Sequence, residues 1–452
     1  MLFNNENVLI IGGLGHWSQK AYIPAFKKEK FIDNIIICDI LDAEHCPDGY
    51  IYYKLSKESD NKNIETVKDI INNHLVDVVV IATPPLFHHV YLKGLLDANV
   101  DFICDKPLVA IEGQSQNVES AKKILQEYND IQEKRNSTIN SKTNRKPLIY
   151  SPLRRITQAY YKLMYNGVKE VNETFDQNIT QIYMYENDGC YRWNNEMEIE
   201  FTHGYGKGLG KLTHTGYHSL GILAELINNG CKNVKSLKCS CLDTRLIGDN
   251  YNNKSVRNLQ KLLEVEDEYY EMKEITKSAE FDISLKYTIQ FTDDIDTCAY
   301  IYSKHSGVSN RTVKQYDKIN TGDQGRTDDS QFLIEQGPFQ NIYGLVFADS
   351  SMKGSAGNSY LKIKRHELVA QKLGKDMVDM ISVNNQDEKT THEIVIDIVK
   401  AMSGQEEFMQ EYSFVEFDAQ KLTMELYVAA LISKITNEEI KWIPGELYDS
   451  LS

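Results

Sequence analysis

The stretch VDVVVIATPPLFHHVYLKGLLDANVDFICDKPLVA (residues 76–110) reads as strand, turn, helix, strand, turn. VDVVVIAT is a continuous β-branched run, as expected of a strand covered on both faces. HHVYLKGLLDAN carries helical periodicity, and DFIC is a second short strand. Strand–helix–strand predicts a right-handed crossover in a parallel sheet. Both strands run into proline-containing turns, Thr83-Pro84 and Asp105-Lys106-Pro107, at the carboxyl edge where such sheets bind ligands.

The alternation extends in both directions. NVLIIG and NIIICD read as strands, SQKAYIPAFKKE, IETVKDIINNH and QSQNVESAKKILQEY as helices, and PLIYS as a final strand near residue 150. The expected fold class is therefore α/β, with a Rossmann dinucleotide-binding domain over residues 1–151. Between the first strand and helix, Gly12-Gly13-Leu14-Gly15-His16-Trp17-Ser18 fits G-x-G-x-x-S, one small residue short of the full fingerprint. Such a turn lets a pyrophosphate approach backbone N–H groups at a helix N-terminus. Gly13, Gly15, His16 and Trp17 are candidate cofactor contacts. Asp39 ends the second strand, where a carboxylate can hold both ribose hydroxyls and repel a 2′-phosphate, which favours NAD over NADP. The plain alternative for Asp39 is a turn residue closing a strand.

Residues 76–110 also carry a family resemblance. Thr83, Pro84 and His88 match T-P-x-x-x-H, and Asp105-Lys106-Pro107 matches E-K-P with the acid shortened. This resembles the glucose–fructose oxidoreductase / inositol dehydrogenase family of NAD(P)-dependent sugar and cyclitol dehydrogenases. The resemblance adds Thr83, Pro84, His88, Asp105 and Lys106 to the expected cofactor contacts. SPLRRITQAYYKLMYNGV looks like the family's lead into a second domain, with Arg154 and Arg155 as candidate substrate contacts. GKGLGKLTHTGYHSLGILAEL (206–226) lines up with the family motif G-G-G-x-x-x-D-x-G-x-H-x-x-D through Gly210, Gly216 and His218. The first Asp is His214 here, and the last is Gly221.

Oxidising an alcohol with NAD needs a base for the hydroxyl proton and a donor to polarise the oxygen. The imidazole of His218 titrates in the working range and suits the first task. Lys106 suits the second, as the resemblance implies. His214 lies one helical turn from His218, which leaves three readings. It takes over the role of the missing Asp, contacting substrate or tuning His218; it binds a metal with His218 and either His203 or a carboxylate; or it is a structural replacement. No third ligand is fixed by spacing, so no metal is expected. The glycines at 204, 206, 208 and 210 suggest a loop bare enough for substrate to lie against the helix start, or else a flexible surface loop. Trp193, beside Tyr191 and Arg192, is a candidate platform for a sugar ring.

Length and composition set the frame. A chain of 452 residues calls for two or three domains. A net charge of −15 argues against general nucleic-acid binding. No apolar run approaches a membrane span, and the N-terminal residues lack the charge pattern of a signal peptide, so a cytoplasmic protein with no membrane partner is expected. The eight cysteines form no CxxC pair; Cys38 and Cys104 sit in strand-like runs and read as small buried hydrophobes. Cys239 and Cys241 should point to opposite faces of a strand.

From Asn233 onward VKSLKCSCLDTRL, ISLKYTIQFTD, TCAYIYSKHS and FQNIYGLVFAD read as strands without regular helices between them. An α+β domain with a large, mostly antiparallel open sheet is expected over 152–452, its terminal helices packing back. The resemblance implies homodimers or homotetramers through that sheet. Residues 129–146 and 308–331 read as polar loops, and 255–275 as a charged amphipathic helix. The expected activity is hydride transfer between NAD and a sugar, cyclitol or similar polyhydroxylated molecule. The alternatives are a cofactor-binding regulator without turnover, favoured by the two lost Asp residues, and a glycosidase using NAD for transient oxidation.

Overall fold

The computed structural model describes residues 6–153, 155–187, 197–198, 203–250, 253–263, 271–307, 327–349, 358–384 and 389–451. Two compact units emerge. The first takes Met1–Ile111, Lys123–Thr157 and Lys389–Lys421; the second takes Glu112–Lys122, Gln158–Glu388 and Leu422–Ser452. This division differs from a single boundary at 151. Residues 112–122 fall with the second unit, and 389–421 return to the first.

The first unit is built on six parallel strands in the order β3-β2-β1-β4-β5-β6. They are β1 (Glu6–Ile11), β2 (Ile32–Asp39), β3 (Ile51–Lys54), β4 (Val78–Ile81), β5 (Asp101–Cys104) and β6 (Ile149–Tyr150). Val8–Ile11, Val78–Ile81 and Asp101–Cys104 are buried without alternation, as strands with helices on both faces must be. β1 pairs with β2 on one side and β4 on the other, so the strand order reverses there. Cys38 and Cys104 are buried within this core. The expected strands are all present. β3 is an addition: IYYK is short and half-exposed, and its sequence gives little strand signal.

The helices are α1 (Ile23–Lys27), α2 (Asp60–Asn73), α3 (His88–Leu95) and α4 (Val118–Ser137). The expected first helix opens as a π-turn, Ser18–Tyr22, before α1 begins with Pro24 in its first turn. The loop expected over 129–146 is corrected, since α4 continues to Ser137. Arg135 explains why. Its fully buried guanidinium pairs with Glu416 and with Asp418 at 2.8 Å, and its Nε donates to the Pro147 carbonyl at 2.7 Å. These contacts bring 389–421 onto α4, where Phe417 stacks on Tyr128 with ring centroids 4.4 Å apart. The helix Thr391–Met402 of the same segment opens with a capping box, Thr390 with Glu393.

The second unit holds a nine-stranded sheet in the order β14-β13-β12-β11-β7-β10-β9-β8-β15. The strands are β7 (Gln181–Asn187), β8 (Val234–Leu246), β9 (Glu280–Phe291), β10 (Thr297–Lys304), β11 (Thr327–Gln336), β12 (Gln340–Asp349), β13 (Asn358–Arg365), β14 (Val378–Asn384) and β15 (Ile440–Trp442). Every described pairing is antiparallel except β7 with β10. The polar stretch 308–331 is thus corrected at its end, where β11 begins at Thr327. Cys239 is buried and Cys241 half-buried. They pair with Tyr287 and Leu285 of β9 in unbroken register, so as alternate residues they share one face of β8, which corrects the expectation of opposite faces. α5 (Ala159–Phe175) packs against the helix Tyr217–Gly230 and against β13. Residues 255–275 are helical at both ends, Lys254–Leu263 and Glu274–Lys277. No helix among the described residues is long and apolar enough to cross a membrane.

Candidate active site

In the first unit the expected cofactor residues gather along the carboxyl edge of β1, β2, β4 and β5. The glycine turn follows β1 at the point where strand order reverses. Gly12 has φ +82°, a conformation that favours glycine, and a Cβ there would meet the Ala82 carbonyl oxygen at 2.7 Å. A Cβ on Gly13 would meet Ile37 of β2 at 2.6 Å. On Gly15 it would meet the Gly12 oxygen at 3.2 Å, closer than ordinary van der Waals contact, so this position too is tight for a side chain. Ser18, in the third glycine position, is buried and donates to the Gly12 oxygen at 2.8 Å, which closes the turn. His16 and Trp17 lie exposed on its outer side.

Asp39 is buried at the end of β2. One oxygen accepts from Leu14 N inside the glycine turn at 2.9 Å, and the other from Leu41 N at 3.1 Å. Each oxygen keeps acceptor capacity for a ribose hydroxyl. After β4, the buried Thr83 Oγ1 finds no hydrogen-bond partner among the described residues, an acceptor and donor left for a ligand. These features fit a dinucleotide: a close-approach turn, a carboxylate at the second strand and an unfilled hydroxyl.

After β5, Lys106 is half-buried and precedes Pro107 through a cis peptide bond. Asp105 accepts a hydrogen bond from the Tyr22 hydroxyl. Burial pushes the Asp105 carboxyl up, opposed by that bond and by His88 and Lys106. His88 is placed otherwise than as a cofactor contact. It is buried, with Nδ1 2.7 Å from the Pro107 carbonyl oxygen and Nε2 2.7 Å from that of Thr83. Burial lowers its pKa, opposed by the two carbonyls and by Asp105.

The second unit carries the histidine segment. His214 lies in a π-turn, Leu212–Gly216, and His218 is the second residue of the helix Tyr217–Gly230. The two histidines thus stand four residues apart across the junction of a π-turn and an α-helix. The ring of His214 meets His203 edge-on at a centroid distance of 4.2 Å, with His305 at 5.6 Å and Tyr205 at 6.2 Å. Among the described residues no three His, Cys, Asp or Glu side chains are placed to hold a metal.

Buried charge fixes the turn. Lys211 Nζ lies 3.0 Å from Glu186 Oε2 and donates to Thr215 Oγ1 at 2.5 Å, while Ser303 Oγ donates to Glu186 at 2.6 Å. The Glu280 carboxylate accepts from Leu212 N at 3.1 Å, an anion at the start of a helical segment. These contacts correct the reading of the glycines. A Cβ on Gly210 would meet the Glu280 carboxyl carbon at 2.4 Å, and one on Gly206 the Glu198 carbonyl oxygen at 2.4 Å. Gly204 and Gly208 have φ +70° and +75°. Protein atoms thus occupy the space these two glycines leave, and backbone conformation demands the others.

Lys106 and His218 belong to different units. Arg155 is described and Arg154 is not; Tyr191, Arg192 and Trp193 also lie outside the described residues. Sequence reasoning missed Tyr22, His305 and Asp282. His305 is buried at the end of β10, its Nε2 3.0 Å from the Tyr205 hydroxyl and its N–H donating to Asp282 at 2.9 Å. A single histidine after an alternating strand gives no motif signal.

No curated protein sequence matches the chain. Among solved structures, aldose–aldose oxidoreductase from Caulobacter crescentus with glycerol is similar with a TM-score of 0.55 at 12% identity, covering 97% of this chain and 100% of that one. An Agrobacterium radiobacter oxidoreductase in complex with NAD+, L-tartaric acid and magnesium gives 0.53 at 13% identity, covering 97% and 98%. A Corynebacterium glutamicum myo-inositol dehydrogenase gives 0.53 at 9% identity, covering 98% and 100%. At these identities the likeness establishes the fold. Residues 6–133 match the model of the Gfo/Idh/MocA oxidoreductase family, NAD-binding Rossmann fold. The matched segment, residues 6–133, thus carries the NAD-binding Rossmann domain of the Gfo/Idh/MocA oxidoreductase family.

Proposed function

We propose that the protein transfers a hydride between NAD and a hydroxyl or keto carbon of a sugar, cyclitol or similar polyhydroxylated small molecule. The observation that carries this is the alignment of the glycine turn, Asp39, the unfilled Thr83 hydroxyl and Lys106 along one sheet edge. Bound NAD supplies the hydride acceptor. The backbone N–H groups of the turn receive its pyrophosphate, and Asp39 takes ribose hydroxyls, which disfavours NADP. The Lys106 ammonium donates to the substrate oxygen and stabilises negative charge as the proton leaves. The His218 imidazole accepts that proton, and His214 tunes it or contacts a neighbouring hydroxyl. Arg154, Arg155 and Trp193 are proposed substrate contacts, and the cytoplasm is the proposed compartment.

The names of two structural neighbours, an aldose–aldose oxidoreductase and a myo-inositol dehydrogenase, support the choice of substrate panel. The test incubates the protein with NAD or NADP and that panel and follows reduced nicotinamide by absorbance. Turnover is expected, with kcat falling about 100-fold or more in His218→Asn while NADH affinity holds. A second reading, a cofactor-binding regulator, is favoured by His214 and Gly221 in the positions where the family motif has Asp. Tight NADH binding without turnover on any substrate supports that reading instead. Product release without net cofactor reduction identifies the glycosidase.

A further inference from the structure

Lys106 is flanked on both sides by residues pinned from elsewhere in the first unit. On one side, the fully buried Tyr22 donates its hydroxyl to Asp105 from the π-turn that follows the glycine turn. The Tyr22 ring stacks on Phe26 of α1 with centroids 6.5 Å apart, which fixes the direction of that hydroxyl. On the other side, His88 holds the Pro107 carbonyl and, through its second nitrogen, the Thr83 carbonyl. Carbonyl oxygens only accept, so each contact calls for an N–H. A neutral imidazole supplies one and an imidazolium both. The charged side chains facing His88 are Asp105 and Lys106.

We infer that Tyr22 and His88 are a pair of positioning residues, clamping Asp105 and Pro107 so that the backbone presenting Lys106 is fixed relative to Thr83. Both are buried; the two nitrogens of His88 engage the Lys106 and Thr83 loops, and the Tyr22 hydroxyl engages Asp105 and also Trp17 of the glycine turn. The physical need follows from the lysine itself. Its four-carbon stem is rich in rotamers, and a flexible backbone beneath it would multiply the available positions of the ammonium. A displacement of about 1 Å at a reacting group costs about 100-fold in rate. The shortened acid belongs to the same device: an aspartate reaches less far than a glutamate, and the Tyr22 hydroxyl comes to meet it. The catalytic consequence rests on the proposed role of Lys106; the clamp itself does not.

The experiment therefore has two arms. In the first, hydrogen exchange is measured on the cofactor-free full chain for wild type, Tyr22→Phe, His88→Phe and His88→Gln. Exchange across residues 105–110 should rise about tenfold in Tyr22→Phe and His88→Phe while the β4 amides keep their protection, with a smaller rise in His88→Gln, which retains a donor. Unchanged exchange at 105–110, or a uniform rise across the unit, overturns the clamp.

In the second arm, Tyr22→Phe should lower kcat about tenfold, with the dissociation constant of NADH within about twofold of wild type. Combined with Asp105→Asn it should add little, because both changes break one contact. Full additivity, or a loss in NADH affinity matching the loss in kcat, overturns the positioning role. A wild type that binds no nicotinamide dinucleotide sinks the oxidoreductase reading, and the exchange arm still decides the clamp.

Discussion

The carboxylate of Asp39 holds the backbone of Leu14, so the residue proposed to select the cofactor also shapes the turn proposed to receive its pyrophosphate. The Leu14 contact ties the end of β2 to the glycine turn, and each Asp39 oxygen keeps acceptor capacity beyond its backbone partner. A substitution at Asp39 should consequently weaken NADH more than the loss of ribose contacts alone would.

Asp39→Ala is expected to weaken NADH binding by about 10- to 100-fold, equivalent to about 1–3 kcal/mol for buried N–H groups left without their acceptor. Wild type should bind NADH at least about tenfold more tightly than NADPH, because the carboxylate repels a 2′-phosphate. The variant should lose that preference. Titration of both reduced nucleotides by fluorescence measures the ratio; an unchanged ratio in Asp39→Ala would rule out Asp39 as the selector.

Arg135 makes a prediction about the return of 389–421 to the first unit. Its guanidinium is buried with two carboxylates and a carbonyl, and lies over the Phe417 ring at 5.5 Å. Arg135→Ala leaves the partly buried Glu416 without its cation and empties the buried space of the guanidinium, and should cost about 2–4 kcal/mol. Arg135→Met together with Glu416→Gln restores volume and removes the charge, so it should recover much of that loss. Chemical denaturation of wild type and the two variants is the measurement. Equal losses in the single and double variants would show that packing, rather than charge, matters here.

These cases show which parts of the chain its own sequence discloses. The parallel sheet was legible because strands buried on both faces become unbroken β-branched runs, as in Val78–Ile81, and each ends in a turn that glycine or proline marks. The end of α4 was not. Arg135 reads as a solvated charge until Glu416 and Asp418 arrive from far downstream to accept it. The π-turn Leu212–Gly216 was hidden for a similar reason: its extra residue is stabilised by Glu280 and by the Lys211–Glu186 pair, which local periodicity does not encode. Motif matching found Lys106 and His88 but assigned His88 to the cofactor. Only the two carbonyl contacts reveal its different place.

Glu225, on the helix Tyr217–Gly230, should make stability depend on pH. Burial raises its pKa from 4.5 to about 7, opposed by donors from Asn228 and Asn229. The folded value lies above the unfolded one, so the folded protein binds the extra proton between them. Its favourable contribution is complete below about pH 4.5 and is lost as pH rises through about 7. Glu225→Gln keeps the neutral shape at all pH values. It should therefore stabilise the protein at pH 8 by about 1–3 kcal/mol and leave pH 4.5 nearly unchanged. Denaturant titrations at the two pH values give the comparison; a gain of the same size at both would show that deprotonation is not its source.

The outer face of the second unit's sheet supports a last prediction, on assembly. β7, β11, β12, β13 and β14 align Tyr183, Leu333, Tyr343, Lys362 and Met380 in one cross-strand row. Tyr183, Tyr343 and Met380 are 37%, 38% and 68% exposed, and Tyr360 on the same face is 44% exposed. Alternation along β13 and β14 leaves this face with large apolar and aromatic surface, whereas single scattered hydrophobes would need no account. Tyrosine and methionine are also the residues enriched where protein surfaces meet. We expect two copies to associate through this face. Tyr343→Lys with Met380→Lys should yield monomers by light scattering at concentrations where wild type is a dimer or tetramer. Because the substitutions lie on the solvent side of the sheet, the thermal midpoint of the monomer should stay within a few degrees of wild type once protein concentration is held fixed. A monomeric wild type, or a variant that keeps the wild-type mass, would assign this surface another use.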